Sequence, residues 1–399
     1  MQTAGESHGP YEVCVVEGIP AGLRLDPADV DVDLVRRQQG YGRGARMAVE
    51  ADKCEFVAGV RLGLTLGSPI AILVSNKDHH NWVDVMRPGS DPAGALAATE
   101  ASAVPRPGHA DFAGMAKFHQ RGIRSVLERA SARETVARVA GGAVCKRLLR
   151  EAGVTIRGRV VSLGGMNSDA ESVDYARPDG IDWAAVEASS VACDDGTAEE
   201  AMRAAVDAAR TEGESLGGVF EIWAWGVCPG LGSYCTFEGR LDAALLGAVG
   251  SIPAVKGVEV GPAFANSQKP GSQVHDALVL RDDGEWRGVG RLTNRAGGLE
   301  GGVTNGMPIV IRAAMKPIPT MATPLPSVDL ATMQVAPAHI ERSDITAVPA
   351  ARVVGEAMVA YVLAGAYLDK FGGDTLDEML RAVSGYEADL EERGLWRRS

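Results

Sequence analysis

Short apolar runs alternate with glycine and proline along the whole chain, and this punctuation constrains the fold more than any other feature. Runs at residues 12–17, 54–60, 70–74, 154–163, 219–227 and 309–314 have the length and β-branched content of strands. Between them lie segments with helix-start signals. Asp26-Pro27 pairs a capping side chain with a first-turn proline, for a helix running to Gln39. Thr197 and Glu200, like Ser131 and Glu134, have capping-box spacing, and predict helices over 201–211 and 135–149. Pro349 opens a last long helix that ends at Gly372-Gly373. The strands and helices are interspersed without a strict βαβ rhythm, so the expected class is α+β. No linker divides the 399 residues, which read as a single domain with a peripheral tail after about residue 387.

The apolar stretch 353–368 carries Arg352 at its edge and Glu356 inside, and reads as too short to span a bilayer. The first ten residues are polar and small, unlike a signal peptide, so a cytoplasmic protein with no membrane partner is expected. Six isolated cysteines, without zinc spacing, fit small buried hydrophobes in a reducing compartment, and no metal site is expected. The net charge of −12 argues against a nucleic-acid partner. Any anion site must therefore be a local basic patch.

Two such patches exist. Residues 103–138 hold seven cations (Arg106, Lys117, Arg121, Arg124, Arg129, Arg133, Arg138) against three carboxylates. Within this stretch, Arg106-Pro107-Gly108-His109 forms a tight turn, and Ser131 starts a helix whose free N–H groups favour bound phosphate. Arginine suits a bidentate grip on carboxylate or phosphate. The second patch, Arg36-Arg37 through Gly40-Tyr41-Gly42-Arg43-Gly44-Ala45-Arg46, has glycine spacing that fits neither a dinucleotide fingerprint nor a P-loop. His8, in Gly5-Glu6-Ser7-His8-Gly9, and His109 sit in glycine-bounded loops beside hydroxyl or arginine partners, as proton-transfer groups do. His79 and His80 lie in a polar turn, 78–81, with no assigned role. A glycine-dense run, 294–306, lets backbone approach a flat or phosphorylated ligand. It is followed by the stiff Lys316-Pro317-Ile318-Pro319-Thr320 loop and by Glu341-Arg342-Ser343-Asp344.

GESHG at 5–9, RRQQGYGRGARM at 36–47, RPGHAD at 106–111, LERASARETVARVAGGAV at 127–144, KGVEVG at 256–261, NRAGGLEGGVTNGMPIVIRAAMKPIPT at 294–320 and RSDITAVPA at 342–350 occur in order. Together they closely resemble the chorismate synthase family. The resemblance implies a trans-1,4 elimination of phosphate from 5-enolpyruvylshikimate 3-phosphate to give chorismate. It requires reduced FMN without net redox change, the flavin lending an electron and recovering it.

By motif position, Ser7, Arg37, Arg43, Arg46, Arg106, Arg133 and Arg342 would bind substrate. His8 and His109 would be the two functional histidines, and Asp344 the carboxylate that assists deprotonation at the flavin. FMN contacts would fall to Arg129, Ala130 and Ser131, to Pro253 and Ala254, to Gly301, to Lys316, Pro317, Ile318, Pro319 and Thr320, and to Arg342. Arg121, Arg124 and Arg138 are left as surface or interface charges. The implied fold is a β-α-β sandwich, a central helical layer between antiparallel sheets, in a homotetramer. Only four residues precede the GESHG motif, where the family has a longer opening strand. NADPH would enter only indirectly, with reduced FMN supplied by an external flavin reductase. The rival reading is a phosphatase or phosphotransferase using the same arginines with His8 or His109.

Overall fold

The computed structural model describes residues 1–44, 52–90, 103–169, 173–341 and 344–398. Arg46 and Arg342 therefore lie outside the described residues. All six predicted strands form. The first sheet is antiparallel, in the order β1 (Gln2–Gly5), β2 (Tyr11–Val16), β4 (Ile70–Ser75), β3 (Cys54–Ala58). Alternation sets its buried face: Cys14 and Val16 on β2 sit opposite Ile72 and Ile70 on β4. The second sheet is also antiparallel, in the order β8 (Val255–Val260), β9 (Ile309–Met315), β7 (Gly218–Trp225), β5 (Thr155–Leu163), β6 (Met166–Asn167). The mixed α+β expectation therefore holds.

Three helices carry most of the packing on these sheets: α1 (Pro27–Gln38), α4 (Thr135–Glu151) and α7 (Val348–Phe371). Helix α4 packs on β2 and β4 and also on α7, and α7 packs on β5 and β7. Two adjacent glycines make this approach possible. A methyl group at Gly141 would collide with Cys14 and Met1, and one at Gly142 with Ala357 of α7. One apolar cluster runs through both sheets and these helices, from Cys14 through Phe220 and Trp223 to Tyr367.

Several boundaries differ from expectation. Helix α5 (Gly196–Glu212) is capped by Asp195, whose carboxylate accepts from Thr197 and Ala198 N–H groups, not by Thr197. Glu199, beside the expected partner Glu200, accepts from Ser190 N and Oγ. Ser131 caps a 3-10 turn, Ala132–Glu134, that leads into α4, and Glu134 pairs with Arg138. Helix α7 is 24 residues, longer than the apolar run suggested and long enough to cross a membrane by length and composition. It is a core helix here: its apolar window is 83% buried, and Glu356 inside it is fully enclosed. It is not the last helix. A true capping box, Thr375 with Glu378, starts α8 (Leu376–Glu392). The residues after 387 are also tied back, through buried Leu390 and a hydrogen bond from Trp396 Nε1 to Gly306 O.

Candidate active site

The β1–β2 turn, the segment after α1, the turn into β8 and the loop after β9 meet the starts of α4 and α7 around one cavity of about 610 Å³. It lies within the range of roughly 300–1,000 Å³ usual for small-molecule sites. Its wall holds Ser7, His8, Arg37, Arg43, Arg106, His109, Arg133 and Asp344. Ala130, Ser131, Pro253, Ala254, Lys316, Ile318, Pro319 and Thr320 also line it. Residues up to 347 positions apart in the sequence thus share one space. The rest of the lining is largely apolar, from Leu127, Ile252, Met315, Ala350, Ala351 and Val354.

Three expected contacts are not brought there. Arg129 is turned to β1, donating to Thr3 O, Thr3 Oγ1 and Gly5 O. Gly301 lies in the turn between Leu299–Glu300 and Val303–Thr304, beside Tyr234, and Pro317 does not line the wall.

The 106–109 turn forms as predicted, with His109 N donating to Arg106 O and Gly108 at φ 82°. Asp111, two residues on and fully buried, organises it. Its carboxylate accepts from Arg106 N, Nε and Nη2, at 3.1, 2.8 and 3.0 Å. His109 Nδ1 lies 2.5 Å from Asp111 Oδ1. Burial works against this charge, but the hydrogen bonds from His109 and Arg106 hold it well below the usual carboxylate range. An ionised carboxylate only accepts, so Asp111 at 2.5 Å favours the tautomer with the proton on Nδ1 over the 3.0 Å approach of Arg106 Nη2 to the same nitrogen, and leaves Nε2 to exchange a proton. Arg106 Nη1 also binds Thr320 Oγ1 at 2.9 Å, and Lys316 Nζ donates to Gly108 O. These bonds fasten the 316–320 loop to the 106–109 turn. Burial and nearby Lys256 lower the Lys316 pKa.

His8 has the same arrangement. Glu128, on the short helix α3 (Arg124–Ala130), accepts from His8 N at 2.8 Å and lies 2.8 Å from His8 Nδ1. Burial opposes the Glu128 charge, yet the bonds from His8 and Arg124 hold its pKa low. Trp82 stacks on the imidazole at 3.9 Å between centroids, and Arg124 lies over Trp82 at 5.2 Å. Arg124 also reaches Glu128 and Glu341. It is thus part of the His8 support rather than a surface charge, which corrects the expectation. The unassigned 78–81 turn gains a place too: His79 Nδ1 is 2.9 Å from His8 O.

The arginines are braced from behind. Arg133 pairs with buried Asp52 at 2.8 Å, while Arg37 donates to Thr135 Oγ1 and Ala132 O, both at 2.9 Å. Arg43 pairs with Asp344 at 2.7 Å, and Gly44 N donates to the same carboxylate at 2.6 Å.

Sequence reasoning missed Asp111, Glu128, Asp52 and Trp82. Only Asp111 had a usable signal, an acid two residues after a loop histidine; the others meet the site across long separations, 120 residues for Glu128 and His8.

A cavity that brings together, among the described residues, five cations and two carboxylate-oriented imidazoles defines an enzyme for a multiply anionic small molecule. Residues 1–368 match the family model described as chorismate synthase. The chorismate synthase of Moorella thermoacetica is 52% identical over 390 residues, covering 98% of each chain. That of Trichlorobacter lovleyi is 48% identical over 394 residues, covering 98% of this chain and 99% of the relative. A crystal structure of chorismate synthase superposes with a TM-score of 0.78 at 39% identity over 98% of both chains. The chain belongs to the chorismate synthase family. Membership makes it a lyase that removes phosphate, on the shikimate route to the aromatic amino acids. The phosphatase alternative finds no support in these likenesses.

Proposed function

We propose that the cavity binds 5-enolpyruvylshikimate 3-phosphate beside reduced FMN, and that the two imidazole–carboxylate pairs manage protons during 1,4-elimination. The observation that carries this is the meeting of His8–Glu128 and His109–Asp111 in one cavity with Arg37, Arg43, Arg106, Arg133 and Lys316. Substrate phosphate and carboxylates would take the guanidinium groups and Ser7, with Arg46 and Arg342 assigned by motif position alone. The flavin fits the other half: a flat apolar ring suits the Leu127, Ala350, Ala351 and Val354 wall, and its phosphate suits the cationic rim at Lys316. Ala130, Ser131, Pro253, Ala254, Ile318, Pro319 and Thr320 complete this half, with Arg129, Gly301, Pro317 and Arg342 retained from the motif. Ala254 holds a left-handed backbone, φ 68°, at the cavity wall. Strain of this kind is typical of ligand contacts.

When bound, reduced FMN would supply the transient electron that loss of phosphate without net redox change calls for. The protein's own part is acid–base and electrostatic. One imidazole gives its Nε2 proton to the departing phosphate, and the other offsets charge on the reduced ring. Asp344, fixed by Arg43 and Gly44 N, would be the carboxylate that assists deprotonation at the flavin.

The packing described above is read as a sandwich with α1, α4 and α7 in the middle, the whole chain as one domain. Assembly into a homotetramer is part of the same proposal and rests on the family resemblance alone. A cytoplasmic setting, with reduced FMN delivered by an external flavin reductase and NADPH acting only through it, completes the proposal. An anaerobic assay tests the reaction. Phosphate and chorismate are expected in equal amounts only with reduced FMN present; equal phosphate release without flavin would sink the reading.

A further inference from the structure

Behind the arginines lies a carboxylate that neither the elimination nor the packing uses. Glu12 on β2 is 1% exposed, and neither of its oxygens has a hydrogen-bond partner among the described residues. Its strand neighbours are Gly5 and Val74, which offer no charge. A methyl group at Gly5 would collide with Glu12 Oε2, so the carboxyl fills the space left by that glycine. By alternation it shares the face of Cys14 and Val16, on which α4 packs, and it lies at the end where α4 begins.

The charged groups that act on it are Arg133 and Glu134 from the turn before α4, Arg129 from α3 and Arg37 from α1. Arg133 and Arg37 also line the cavity. Arg133 is at the same time paired with Asp52.

An isolated buried carboxylate in such a place is costly when ionised and cheap when neutral. Burial, partly offset by Arg133 and Arg129, pushes Glu12 up to about 7. The sign follows: with a raised folded pKa, the carboxyl is neutral and harmless at lower pH and becomes a buried charge as pH rises through about 7. Once ionised, it draws on the same guanidinium field that the cavity offers to an anion. A polyanion in the cavity acts in return on Glu12, favouring its neutral form, because coupling of this kind is reciprocal.

We propose that Glu12 is a proton-linked positioning residue of the anion site: it takes up a proton when a polyanion binds, leaving Arg133 and Arg37 to the ligand. The inference rests on the cavity being the substrate site. It belongs to a residue outside every motif that identifies the family.

The test is substrate binding to the whole enzyme followed by calorimetry in buffers of different ionisation heat, between about pH 6 and 9, in wild type, Glu12→Gln and Glu12→Leu. Wild type is expected to take up more protons per substrate bound than either variant. Its affinity should fall more steeply with rising pH than theirs, by up to about tenfold per pH unit, the limit for one linked proton. Infrared spectra should show a protonated-carboxyl band that grows on substrate addition at alkaline pH in wild type and is missing in both variants. Equal proton uptake in the three proteins overturns the inference while leaving the substrate site intact. A Glu12 carboxyl still ionised at about pH 6 with substrate bound overturns it. Absence of substrate binding at every pH would count instead against the substrate reading on which it rests.

Discussion

Replacing His109 by alanine is expected to lower kcat by about 10²–10⁴-fold, the usual contribution of a positioned acid or base. The fold should survive, because Asp111 keeps three hydrogen bonds from Arg106 when the imidazole is gone. Matched thermal melts and steady-state rates separate the two effects. Wild-type turnover in a folded His109→Ala variant would remove this residue from the chemistry. Asp111→Asn should be nearly as damaging by a different route. The amide no longer demands a proton on Nδ1, and it releases part of the hold on Arg106, so both imidazole and guanidinium lose their orientation. Since Asp111 is held ionised far below the usual range, its support of the site should persist through mildly acidic pH.

The second large effect is on stability. Glu356 is fully buried in α7 and accepts from Arg36 at 2.7 and 2.8 Å, from Lys146 at 2.7 Å and from Gly158 N at 2.9 Å. Arg352 approaches the same carboxylate, while Glu187 and Asp33 share the cations. This ring joins α1, α4, α7 and the second sheet in the middle of the molecule. Truncation to alanine removes the buried carboxylate shared by Arg36, Lys146 and Arg352, leaving only Glu187 and Asp33 beside them, and is expected to cost about 3–5 kcal/mol.

The loss should also slacken the end of α1, where Arg37 follows Arg36. Urea unfolding curves check it, and a change below about 1 kcal/mol would mean that the cations find other partners or water. Burial raises the cost of the Glu356 charge, but Arg36 and Lys146 more than offset it and leave its pKa depressed. The stability it contributes is therefore present above the ordinary carboxylate range and is lost only as pH falls towards strongly acid values. Glu12 behaves in the opposite sense, losing stability as pH rises through about 7.

These two carboxylates show what a sequence can and cannot disclose. Local order was legible because its causes are local. The Asp26-Pro27 start, the Gly372 stop and the period-two strands depend on neighbours a few residues away. The capping pattern at 195–200 was ambiguous, since both Asp195 and Thr197 can accept from the residues that follow, and the aspartate two residues earlier prevailed. The site arginines and histidines were legible through motifs whose residue types match a polyanion. Their supports were not. Glu128 reads as one more surface acid until α3 carries it under His8, and Trp82 reads as a loop aromatic until it stacks there. Glu12 reads as the polar start of a strand, and only the helix packed on the face it shares with Cys14 and Val16 makes it a buried carboxyl.

The central claim is that one cavity holds substrate and flavin together between the two imidazole–carboxylate pairs. A crystal structure with 5-enolpyruvylshikimate 3-phosphate and oxidised FMN, which blocks turnover, tests it most directly. The account predicts both ligands in the 610 Å³ cavity, with a histidine Nε2 within hydrogen-bond reach of the substrate phosphate and the flavin against the Ala350–Val354 wall. Flavin bound elsewhere, or substrate phosphate held away from both His8 and His109, would contradict it.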